Sequence, residues 1–279
     1  RQSPHTQSAR TMGACNTAPS RETTLPLRRH GVDSSAPDVP LPIYNPVPGY
    51  ACFKVPGAIG ALVVIVLFAA GAWALRNAVP GIQAIEPVSY YWMMFAVLTL
   101  CWEICYITFK FDETRKYADY LKASGTHVWF TYYGWDMILP WNTALVFYGE
   151  YGAWADREYS ALRMVYSSWA RIIEGSHGIS AGGFSLLAVA FAAQISTDQM
   201  LIAMSCGMAA QGMNAFLYLA NYTLVVQQPT NPNYASQRWP CGFSAWRRPF
   251  MWINIFWVVL PAYVVAESLI LAGGGGGIF

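Results

Sequence analysis

The chain has 279 residues, 55% of them hydrophobic, 11% charged, with a formal net charge of +2. A soluble domain carries about 25% charged residues, so composition excludes an ordinary soluble fold and points to a polytopic α-helical membrane protein. The apolar runs are continuous rather than alternating, which excludes a β-barrel, and twelve Trp and seventeen Tyr suit a membrane interface.

Residues 1–54 form a Pro/Ser/Thr-rich tail without apolar periodicity. Pro40, Pro42, Pro46, Pro48 and Pro56 predict extended backbone there. Such a segment buries no core of its own, so an ordered tail needs an outside support. Residues 1–30 hold many Arg, Ser and Thr and one acid, Glu22. That composition fits part of an organellar transit peptide or a basic tail. Met12-Gly13-Ala14-Cys15-Asn16-Thr17 also fits a myristoylation template if Met12 begins the chain.

Five apolar spans are predicted at about 55–75, 90–109, 164–193, 200–226 and 250–272. Each is long enough to cross ~30 Å of hydrocarbon. The predicted fold is an all-α five-helix transmembrane bundle over residues 55–272, with a long aromatic insertion at 110–163 and a Gly-rich end at 273–279. Segment 128–151 is ambiguous, being apolar and aromatic but holding Asp136 and Pro140. With five spans, the tail and the 110–163 and 227–249 loops share one side and carry nearly all Lys and Arg, opposite Arg76 alone. The positive-inside rule therefore favours five spans with the N-terminus inside, and an interfacial or re-entrant 128–151.

The spans contain polar groups that hydrocarbon cannot satisfy. Glu103 lies in the second; Glu174, flanked by Arg171 and His177 three residues away, lies in the third. Residues at that spacing share a helix face. Gln211 and Asn214 lie in the fourth, and Asn254, Trp257 and Pro261 share a face of the fifth. A charge at the bilayer centre costs at least ~2.5–3.5 kcal/mol and marks a functional candidate. Two readings stand for Glu174: a structural tie to Arg171 or Asn254, or the lining of a cavity shared with Glu103, His177, Gln211 and Asn254. Glu103 is near enough to the end of its span to reach the interface instead. Gly178-x-x-x-Gly182 signals close helix packing.

These motifs resemble, in order, those of the emopamil-binding proteins, the sterol Δ8–Δ7 isomerases of the EXPERA superfamily. Glu174 followed by Gly182-Gly183-Phe184-Ser185-Leu186 resembles the family's Glu-(x)n-Gly-Pro-x-Ser-Leu, and Asn254-x-x-Trp257-x-x-x-Pro261 its last-helix motif. Gln211 with Phe216-Leu217-Tyr218 resembles the fourth-helix motif, and Glu103 the second-helix glutamate. Tyr151 to Tyr159 resembles a loop motif of the family. The resemblance implies a five-helix fold with a cavity for a sterol or other membrane lipid. It implies Glu103, Glu174 and His177 as catalytic groups, and Thr99, Gln211, Asn254 and Trp257 as substrate-binding groups.

The chain departs from the family where Thr99 occupies the histidine position, Gly183 the proline and Ala215 the aspartate. Either His177 takes over proton handling, or the chain is a non-catalytic accessory subunit of a large organellar complex, respiratory or photosynthetic. In the second case it would meet other subunits through residues 1–54 and 128–151. The expected location is the endoplasmic reticulum, mitochondrial inner or thylakoid membrane. No cofactor, metal or nucleic acid is expected: there is no CxxC pair and no phosphate-binding glycine loop.

Overall fold

The computed structural model describes residues 24–25, 41–42, 54–155, 172, 175–221, 223–224 and 249–274. Two short antiparallel ribbons bracket the start of the chain. β1 (Thr24–Leu25) pairs with β2 (Leu41–Pro42). β3 (Lys54–Pro56) pairs with β4 (Tyr132–Gly134), Val55 opposite Tyr133.

The helices are α1 (Gly57–Ala78), α2 (Pro87–Cys105), α3 (Phe111–Ser124), α4 (Pro140–Glu150), α5 (Gly175–Ala193), α6 (Thr197–Asn221) and α7 (Pro249–Gly274). Five helices are long and apolar enough to cross a membrane: α1, α2 with its continuation to Thr108, α5, α6, and α7 from Met251 onward. The all-α polytopic bundle expected from composition is thus the observed architecture, with five spans near the expected positions.

Local chemistry sets the ends. Pro80 cannot continue α1, whose terminal Arg76 donates to the carbonyls of Ile82 and Gln83. Glu86 caps α2 by accepting from the Val88 and Ser89 amides, and its own amide donates to Glu267 Oε1 at 2.7 Å, tying α2 to α7. Gly125, at φ 67°, closes α3 in the left-handed conformation that lacks a penalty only without a Cβ.

The bundle core joins Tyr90 and Met93 of α2, Ala181, Ala188 and Ala192 of α5, Met200, Met204 and Met208 of α6, and Val264 of α7. Small residues let the backbones close. A Cβ on Gly182 would lie 2.4 Å from Leu100 Cβ, and one on Gly207 would lie 2.8 Å from Phe184 Cβ. The tight packing expected of Gly178 and Gly182 is therefore directed at α2.

Between α2 and α5 the chain builds a cap from α3, α4, β4 and short turns, centred on Tyr117, Leu121, Val128, Tyr133, Met137 and Val146. Segment 128–151 is not one helix. It opens with 3-10 turns at Val128–Phe130 and Trp135–Ile138 around β4, and α4 starts only at Pro140. Glu150 clamps this cap: its carboxylate contacts His127 Nδ1 at 2.6 Å and accepts from the Val128 amide at 3.0 Å.

Candidate functional site

α2 presents Trp92, Phe95, Thr99 and Glu103 at spacings of three and four, so one stripe faces the bundle. α5 enters opposite it. Gly178 has no side chain where a Cβ would fall 2.6 Å from Glu103 Oε2. That gap admits the Glu103 carboxyl beside α5, one residue from His177.

The two side chains meet there. His177 Nδ1 lies 2.7 Å from Glu103 Oε1. Glu103 is 3% exposed and His177 9%, both within membrane-length helices. Glu103 therefore does not reach out to the interface; it turns inward to the imidazole. His177 Nε2 lies 3.0 Å from the amide nitrogen of the fully buried Gln211. The Trp92 indole donates to Gln211 Oε1 at 2.8 Å.

This chain of contacts has a direction. An indole N–H can only donate, so it fixes the carbonyl end of Gln211 toward Trp92. The amide NH2 must then face His177 and donate, which makes Nε2 the acceptor. The remaining ring proton sits on Nδ1 and is donated to Glu103 Oε1. The imidazole is thereby held neutral, in one tautomer, between a donor and a carboxyl group. Among the described residues, Glu103 Oε2 is buried with no hydrogen-bond partner.

An aromatic wall stands beside the pair. Trp257 meets His177 edge to face, with ring centroids 5.1 Å apart, and lies 5.1 Å from Trp92 and 5.5 Å from Phe95. Next to it, Pro87, Val88, Tyr91, Trp92, Phe95 and Leu260 line an open apolar groove of about 390 Å³ between α2 and α7.

The structure thus brings together Glu103, His177, Gln211 and Trp257. Thr99 is buried but bonds the Ala96 carbonyl of its own helix at 3.0 Å. Asn254 is half-buried on α7, one turn before Trp257. Glu174 and Arg171 lie outside the described residues. Among the described residues, Glu103 contacts His177 across the helix interface. Trp92 was missed by sequence reasoning, although its i, i+7, i+11 spacing to Thr99 and Glu103 marks the same stripe. Asn214 donates to Ser176 Oγ at 3.3 Å, beside the pair on α6. Among the described residues no group of three His, Cys, Asp or Glu side chains could hold a metal ion.

The arrangement can hold, give and accept a proton inside the bundle, next to aromatic faces that stabilise positive charge. No protein-family model, curated protein or solved structure matches this chain.

Proposed function

We propose that this chain binds a sterol-like membrane lipid against Trp92 and Trp257 and shifts a ring double bond by proton transfer at Glu103 and His177. The observation that carries this reading is the 2.7 Å contact between His177 Nδ1 and Glu103 Oε1 among buried groups of three spanning helices.

In this scheme the lipid enters through the groove between α2 and α7, and its rings pass Trp257 to reach the pair. Glu103 Oε2, which has no hydrogen-bond partner among the described residues, delivers the proton. It adds to one carbon of the double bond, and a carbocation forms on the other, facing the Trp257 ring. His177 Nε2, released by the Gln211 amide, takes a proton from the next ring carbon, and the imidazolium so formed is paired with the Glu103 carboxylate. The electrons of that C–H bond form the shifted double bond, so one proton enters and one leaves. His177 fills the role for which the EXPERA resemblance expects a histidine at Thr99. Glu174, expected as a second carboxylate, is assigned no step.

The test is conversion of a Δ8 sterol to its Δ7 isomer by protein purified in lipid nanodiscs. His177→Phe is expected to lower turnover by about 10²–10⁴, the range of general acid–base catalysis. Equal turnover by His177→Phe and the unmodified protein refutes the assignment. A second reading, a non-catalytic subunit of a larger complex, is favoured by the exposed Phe130, Tyr132, Trp135 and Trp141 of the cap. It predicts stable co-purification of other membrane subunits, lost when Trp135 and Trp141 are replaced by Ser.

A further inference from the structure

The His177–Glu103 pair is sealed among helices, yet a polar stripe leads away from it along α6. Gln211, Asn214 and Tyr218 recur at spacings of three and four, all buried, on one face of a helix otherwise rich in Met, Ala and Leu. Gln211 bonds His177, and Asn214 bonds Ser176. Tyr218 Oη lies 2.9 Å from the hydroxyl of Tyr151, which is half-buried in the cap. Seven residues of helix rise about 10 Å, so the stripe runs that distance from the imidazole to the cap. Buried polar groups in a span are costly unless they serve one another or a pathway.

Helix irregularities gather at the same end. π turns occupy Tyr106–Lys110 just beyond Glu103, Gly178–Gly182 just beyond His177, and Tyr151–Ala155 just beyond Glu150. Each breaks the regular i→i−4 ladder and leaves backbone carbonyls available to other donors, a feature frequent at functional sites. Hydroxyl and amide groups one helical turn apart are within the reach of a bridging water.

We infer that Tyr151, Tyr218, Asn214 and Gln211 form a proton conduit between the aqueous face of the cap and the His177–Glu103 pair. Protons hop along hydroxyls and intervening water in both directions, so the proton the pair takes from the lipid leaves through Tyr151 and the one it delivers is drawn in by the same route. The conduit rests on the reading of that pair as a proton-exchanging site, but its test needs no lipid substrate.

The experiment follows hydrogen–deuterium exchange at His177 Nδ1 by NMR of histidine-labelled protein in nanodiscs. Tyr151→Phe and Tyr218→Phe each keep the ring and remove one half of the same hydroxyl contact, so either variant serves if the other does not fold. Exchange is expected to slow about fivefold in each, the rate equivalent of one net hydrogen bond. Exchange at the unmodified rate in a folded hydroxyl-deletion variant overturns the conduit. Exchange that depends on Tyr218 in a protein that converts no sterol supports the conduit and refutes the isomerase reading.

Discussion

Trp92 decides the protonation pattern of the site although it touches neither Glu103 nor His177 in any hydrogen bond. Its indole can donate only, so it orients Gln211, which in turn selects the Nδ1–H tautomer of His177. Trp92→Phe frees the Gln211 amide to turn over. The imidazole nitrogen shifts of His177 are then expected to move from a single tautomer toward a mixture, measurable by nitrogen NMR. Gly178→Ala acts on the other partner, because the added Cβ would stand 2.6 Å from Glu103 Oε2. The carboxyl must shift, and turnover in the proposed isomerisation is expected to fall while helix content persists by circular dichroism. Glu103 and His177 were legible in the sequence as polar residues in apolar spans. Their pairing was not, because helix periodicity relates residues within one helix and says nothing about which faces meet across an interface. Thr99 illustrates the same limit: a hydroxyl in a helix can satisfy itself on a carbonyl one turn back, and here it does.

At the scale of elements, the turn between α5 and α6 carries a non-glycine residue in the left-handed region. Ile195 has φ 59° and is 82% exposed, so its branched side chain adds strain and no burial. A β-branched residue there is an outlier, and the left-handed conformation costs roughly 1–2 kcal/mol with a Cβ present. Ile195→Gly is expected to stabilise the protein by about 1 kcal/mol after the entropy cost of glycine, read as a higher midpoint of thermal unfolding. The cap depends on Glu150 in the opposite sense. Removing its carboxylate in Glu150→Ala leaves the buried Val128 amide without its acceptor, at a cost of about 1–3 kcal/mol. Protease cleavage within 126–135 is expected to accelerate. The five spans were legible because length and hydropathy are properties of each segment alone. Segment 128–151 was not, since its strand exists only through pairing with Lys54–Pro56 from 76 positions away.

Across the whole molecule, the five membrane-length helices divide their work. α1 and α7 keep most of their surface outside the protein core, whereas α2, α5 and α6 bury about half of theirs. The polar groups of the candidate site come from those three inner helices, and Trp257 of α7 closes its side. A core spread over α2, α5 and α6 keeps the His177–Glu103 pair buried. Composition made the membrane class plain; the resemblance of ordered motifs supplied the sterol hypothesis; the His177–Glu103 contact gives that hypothesis a chemical centre. The most direct measurement is turnover of a Δ8 sterol by the purified protein in nanodiscs, with Glu103→Gln and His177→Phe compared at equal fold. The account predicts conversion by the unmodified protein and a loss of about 10²–10⁴ in each variant; no conversion by a folded, sterol-loaded protein would contradict it.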